Sequence, residues 1–115
     1  MADTDTCEWA GGSGTKYKYW WHALPFTYKT GQPGNYIYAK IVQNQWVPIY
    51  IGEGDLGERV GPNHHKASCI QQKGATHIHG HTQGDQQART AEETDLLSNY
   101  TQAYAPTGCN EKKGG

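Results

Sequence analysis

Residues 34–59, GNYIYAKIVQNQWVPIYIGEGDLGER, are the stretch around which the rest of the chain is organised. Residues 35–42 and 46–52 are rich in Tyr, Ile, Val and Trp and are separated by Gln43, Asn44 and Gln45, a pattern that predicts a β-hairpin. Alternate side chains of a strand share a face. That rule groups Tyr36 with Tyr38 and Lys40 and sets them apart from Ile37, Ala39 and Ile41, while in the second strand it separates Tyr50 from Ile49 and Ile51. Two phenols therefore stand on one side of a ribbon whose other side is apolar. Pro48 cannot donate a ladder hydrogen bond, so the second strand is expected at a sheet edge or bulged at that point. Asp55 suits a helix N-cap, Leu56 and Val60 lie one turn apart, and Pro62 closes the segment. The short helix so defined carries Arg59 towards the tyrosines.

Gly34-Asn35-Tyr36, Tyr50-Ile51-Gly52 and the following Arg59 resemble the GIY-YIG nucleases, whose name describes two short strand motifs ahead of an arginine-bearing helix. Asn35 departs from the middle residue of the first motif. The resemblance continues through Glu93, the Leu96-Leu97 pair, Pro106 and Asn110, in the order of the family's metal-binding Glu, leucine pair, Pro and Asn. From Gly34 to Asn110 it spans about two thirds of the chain.

The resemblance implies an α/β (α+β) domain with a small, mostly antiparallel three-stranded sheet flanked by helices. It implies metal-dependent hydrolysis of a nucleic-acid phosphodiester, with DNA the expected substrate, by in-line attack of water and one Mg²⁺ or Mn²⁺ held by Glu93. Arg59 would meet the nonbridging oxygens, Tyr36 would help remove the proton from water, and Tyr50 would orient water or phosphate. Gly34, Gly52 and Asn110 would support the site. The family places a His about one turn beyond the Arg; here that position is Asn63, followed by His64 and His65. Because Pro62 interrupts the helix, fixed spacing no longer applies, and the role passes to His64 or to its near equal His65. Either imidazole suits phosphate contact or proton transfer at neutral pH.

The residues have readings of their own beside this one. Glu93 shares a helical stripe with Leu96, Leu97 and Tyr100, which puts its carboxylate at or beside a packed face; Glu92 competes for the same role, and a surface pair with Arg89 is the bland alternative. A single carboxylate suits Mg²⁺, which keeps most of its waters. A free tyrosine ionises near pH 10, so Tyr36 as a base needs a nearby cation or a relay through a histidine or the metal. Tyr36 and Tyr50 also read simply as packed sheet residues. His77, His79 and His81 share one face of an expected strand at residues 75–81 and raise the prospect of Zn²⁺, but same-face neighbours about 7 Å apart splay rather than converge on one ion.

The 115 residues suffice for one domain, and only 35% are hydrophobic, with tyrosine and tryptophan supplying much of the apolar surface. Residues 1–15 read as a flexible glycine-bearing arm, residues 16–110 as the domain and residues 111–115 as a flexible tail. Within the domain, residues 16–26, KYKYWWHALPF, read as an extra aromatic strand covering a sheet edge or, functionally, as a basic and aromatic platform on which bases stack. A second helix is expected after Pro62, with Asn63 as N-cap, His64 and His65 in its first turn, and Gly74 as its stop; the longest opens at Gly84 and Asp85.

Three cysteines without CxxC spacing indicate neither a disulfide framework nor a zinc knuckle, so Cys7, Cys69 and Cys109 are expected as thiols. Ten basic against eleven acidic side chains give a net charge of −1, which argues against tight nonspecific gripping of DNA and for help from an accessory partner or a second copy. No run is long enough for a membrane span and the first residues lack signal-peptide features, so the expected location is the cytoplasm. Two further classes stay open: a noncatalytic nucleic-acid-binding module on the same fold, and a zinc or histidine-based structural or sensor domain.

Overall fold

A computed structural model describes residues 5–111. The hairpin forms as β3 (Pro33–Val42) and β4 (Gln45–Asp55), longer at both ends than the sequence pattern suggests. Val42 pairs with Gln45, so the connection has two residues, Gln43 and Asn44, rather than three. Both adopt left-handed backbone angles, φ 52° and 64°, the requirement of the tight turn whose twist matches that of the strands. The register slips between Tyr38 and Ala39, whose partners are Tyr50 and Pro48, so Pro48 sits beside a bulge on the outermost strand, where its missing N–H is tolerated.

The sheet has five strands, in place of the expected three with an added N-terminal aromatic strand, in the order β1-β2-β5-β3-β4, all neighbours antiparallel. β2 (Lys16–Ala23) is the predicted aromatic strand, but it lies inside the sheet, between β5 (His77–Thr82) and β1 (Thr6–Ala10). The additional edge, β1, comes from the segment expected to be a flexible arm. Trp9 anchors it: the indole is buried, meets Tyr100 edge to face at 5.2 Å, and donates from Nε1 to His79 Nδ1 at 3.1 Å. Truncating an indole buried this way typically costs about 3–5 kcal/mol. Of the glycines that follow, Gly11 and Gly12 serve close approach to Asp95 and Ser98, whereas Gly14 turns the chain at φ 92°. Gly12 N–H donates to the Asp95 carbonyl, and the Asp95 carboxylate accepts from Ser13 N–H, Ser13 Oγ and Tyr17 Oη. Residues 1–4 of the expected arm and 112–115 of the expected tail lie outside the described residues.

Alternation gives the sheet two differently furnished faces. Tyr36, Tyr38 and Ile78 point to one, against Leu56, Val60 and Ile70; Ile37, Ala39 and Ile51 point to the other, with Trp9, Tyr19 and Leu96. Asp55 caps α1 (Leu56–Arg59) as predicted, its carboxylate accepting from Gly57 N–H at 2.9 Å and Glu58 N–H at 3.3 Å. α2 (Ala67–Gln72) starts later than predicted. Its N-cap is Lys66, so His64 and His65 lie in the turn before the helix. α3 (Gln86–Asn99) is capped by Asp85 and packs on the second face.

Two of the three cysteines are joined. Cys69 of α2 and Cys109 form a disulfide with Cα atoms 5.9 Å apart, which corrects the expectation of three thiols; Cys7 is free. Spacing rules miss this pair because its partners are brought together by packing on β4, where Cys109 N–H donates to the Ile49 carbonyl. The bond closes a separation of 40 residues. Its reduction, or Cys109→Ser, is expected to lower the free energy of unfolding by about 2–4 kcal/mol in urea titrations; equal midpoints for the oxidised and reduced protein would contradict the pairing.

Candidate functional site

The first face brings the two predicted phenols together. The rings of Tyr36 and Tyr50 lie 6.0 Å apart at 23° to one another. Directly across from Tyr36 stands Gly52, and a Cβ there would come within 2.6 Å of the Tyr36 ring and hydroxyl and 2.8 Å of the Tyr50 ring. Two residues on, Gly54 has φ 138°, and its open flank receives the Arg59 side chain, whose Nε would lie 3.0 Å from a Cβ at that position. Gly34 has a comparable role against β5, where a Cβ would strike the His81 carbonyl at 2.0 Å. These three glycines let two rings, a guanidinium and a neighbouring strand share space that side chains would otherwise fill.

Both histidines after Pro62 join the phenols. His64 is buried and its Nε2 lies 2.8 Å from Tyr36 Oη; His65 is exposed and its Nε2 lies 3.3 Å from Tyr50 Oη, and the two imidazoles stack at 4.6 Å. Lys66 N–H donates to His64 Nδ1 at 2.9 Å. In the neutral ring the proton is then on Nε2 and is donated to Tyr36 Oη. Burial, with His65 and Arg59 nearby, pushes His64 down to about 4, so it is neutral at physiological pH. Burial likewise raises Tyr36 well above the ordinary phenol value, reinforced by Tyr50 and opposed by Arg59. The hydroxyl of Tyr36 thus accepts from His64 and turns its own hydrogen towards Tyr50.

Glu93 also reaches this group. Burial raises Tyr50 as it does Tyr36; beyond that the Glu93 carboxylate raises both phenols and Arg59 lowers both, which puts the acid and the base within electrostatic range of the same pair. The approach of α3 explains this. Glu53 points to the second face and accepts from Arg89 Nε at 2.9 Å, docking α3 against β4, and Glu93 follows Arg89 by one turn. Arg89 is therefore the partner of Glu53 in this ion pair. Glu92, the competing carboxylate, is buried and engaged elsewhere, accepting from Tyr19 Oη at 2.5 Å and facing His81 Nε2 at 2.6 Å.

Asn110 supports the site from outside. Its amide both accepts from Ile51 N–H and donates to the Ile51 carbonyl, each at 2.9 Å, which completes the bare edge of β4 between Tyr50 and Gly52. His77, His79 and His81 line the opposite face of the sheet from the phenols, among Trp9, Trp21, Trp46 and Tyr19. Among the described residues no three His, Cys, Asp or Glu side chains gather where they could hold an ion. Sequence reasoning passed over Tyr38, whose Oη accepts from Gly61 N–H and whose ring packs edge-on to His64 at 5.7 Å; its place on the Tyr36 face was the available signal.

No protein-family model matches the chain, and neither a curated protein nor a solved structure does. What the cluster does chemically is therefore argued from its own groups. An exposed guanidinium, the half-buried Tyr50 phenol and an exposed imidazole, lying over the buried Tyr36, form a surface suited to an anion with several oxygens. The adjoining carboxylate suits a hard cation that retains water.

Two outcomes follow. Gly52→Ala is expected to lower stability by roughly 1–3 kcal/mol in chemical denaturation, because the strand or both rings must shift; a neutral substitution would contradict the contact. Because His64 stays neutral in the folded state down to about 4 while an unfolded histidine protonates near 6.5, the unfolded chain binds more protons in this window and stability rises with pH across it. Urea midpoints measured from pH 4 to 6.5 are expected to climb less steeply in His64→Gln than in the parent; parallel curves would exclude the burial of a neutral His64.

Proposed function

We propose that the protein is a GIY-YIG-type endonuclease that hydrolyses nucleic-acid phosphodiester bonds, DNA being the favoured substrate, with one Mg²⁺ or Mn²⁺. What supports the reading is that Arg59 and Glu93, from two separate helices, both lie within electrostatic range of the Tyr36–Tyr50 pair. The half-buried Glu93 fits the cation as a single carboxylate ligand. When bound, the ion supplies charge neutralisation at the oxygen that leaves.

The protein groups divide the remaining work. Arg59 presents its planar fork to the nonbridging oxygens, and Tyr36, buried and held by His64, supports Tyr50 beneath them. Tyr50 orients the attacking water. Burial argues against Tyr36 as the proton acceptor, the role the family resemblance gives it, and both His64 nitrogens are already engaged. His65, exposed and beside Tyr50, takes the proton as the water oxygen bonds to phosphorus.

Among the described residues no helix is long and apolar enough to cross a membrane. The Cys69–Cys109 bond favours an oxidising working environment over the cytoplasm expected from the sequence. With a net charge of −1, lasting hold on DNA would come from a second copy or an accessory partner.

The test is cleavage of labelled branched, single-stranded and duplex substrates with Mg²⁺ or Mn²⁺. Arg59→Ala and Glu93→Ala are each expected to slow cleavage by about a hundredfold or more, His65→Ala by about a hundredfold, and chelation should abolish it. Equal activity in the parent and all variants would mark a contaminant, and a folded parent that binds strands without cutting them would leave a binding module in place of an enzyme.

A further inference from the structure

The phenol site occupies only half of its sheet face. Leu56, Val60 and Ile70 cover the part formed by β3, β4 and β5, whereas over β2 the side chains of Lys16, Lys18 and Trp20 are exposed. Trp20 shows 43% of its surface, although β2 is an interior strand. The Lys18 ammonium lies 5.2 Å from the centre of its ring.

The register places this indole in line with the site. Trp20 pairs with Gly80, Gly80 with Tyr36, and Tyr36 with Gly52. Directly paired residues project to the same side, so Trp20 and Tyr36 share a face, two strand spacings or roughly 10 Å apart. Between them Gly80 has no side chain, and the Tyr28 hydroxyl and Leu56 fill the place a Cβ would take. A ring in that position lies within reach of the nucleotide beside a phosphate held at Arg59, over the buried Tyr36.

We infer that Trp20, with Lys18, is a stacking platform for an unpaired base of a single-stranded segment flanking the scissile phosphate. The inference rests on the hydrolytic reading for the location of that phosphate. A strand supplies both features the surface complements. Its bases offer flat faces to the indole, and its backbone carries the negative charge that Lys16 and Lys18 attract, although Glu8, opposite Lys18 on β1, moderates the field. In a duplex the bases are stacked on one another and unavailable to the ring, so the platform selects substrates with single-stranded character. Because Trp20 is exposed and the core rings lie on other positions, its substitution leaves the fold intact.

Binding measured without divalent ions tests this apart from catalysis. Fluorescence anisotropy of a short labelled oligothymidine, with chelator present, is expected to show about tenfold weaker binding for Trp20→Ala than for the parent. Trp20→Tyr should recover most of the loss, and affinity for a blunt duplex should be unchanged by either substitution. Parent-like affinity of Trp20→Ala for the single strand overturns the platform, as does equal loss on single strand and duplex, or the absence of single-strand binding in the parent. Self-association that is abolished in Trp20→Ala while strand binding persists would assign the face to a second copy instead. Trp20-dependent binding in a protein that proves inactive with Mg²⁺ or Mn²⁺ would retain the platform and remove the hydrolytic reading alone.

Discussion

The phenol of Tyr36 lies over a position where the neighbouring strand has no side chain, and the arrangement of the site follows from that. Gly52 faces it across β3 and β4 with no room for a methyl group, and Gly54 leaves the next opening on the same flank to Arg59. A larger residue at either place would push apart groups whose value lies in being close. β4 is the outermost strand, and the Asn110 amide and the Cys109 backbone pair with its free edge at Ile51 and Ile49.

Both faces of the sheet are buried in core, but they are furnished differently. On one, Ile37, Ile51 and Leu96 pack with buried aromatics, and Glu92, Tyr19 and His81 satisfy one another within that layer. On the other, hydroxyls and imidazoles gather within hydrogen-bonding distance. α3 serves both, since its buried turn carries Glu92 and its docking pair Arg89–Glu53 brings Glu93 alongside β4. Carboxylates next to each other in sequence thus end in different surroundings: one hydrogen-bonded within a packed network, the other in the field of Arg59 and the phenols.

Features governed by short-range rules were legible in the sequence. The alternation of residues 35–42, the Asp55 and Asp85 caps, the stop at Gly74 and the irregularity at Pro48 each follow from the local chemistry of one or two residues. What escaped depended on distant partners. The glycines before β2 resemble a loose arm until Asp95 is seen to bind Ser13, and Trp9 gives no sign of the His79 it meets. An odd cysteine count conceals a pair when the third thiol is simply unmatched. The two-residue turn was missed because Gln43 and Asn44 adopt left-handed angles usually supplied by glycine. Of the candidate site, Tyr36, Tyr50, Arg59, His64 and His65 are brought together where the sequence put them. The proton arrangement at His64 was not legible, because it is set by the backbone N–H of Lys66.

The central claim is that Glu93 and the tyrosine pair frame one place for a divalent cation beside a place for phosphate. Anomalous X-ray diffraction from crystals of the protein soaked in Mn²⁺ and inorganic phosphate tests it most directly. The account predicts one strong manganese peak at the Glu93 carboxylate, on the side facing Tyr36 and Tyr50, with phosphate between it and Arg59. Manganese absent from Glu93, or bound instead along His77, His79 and His81, would contradict it.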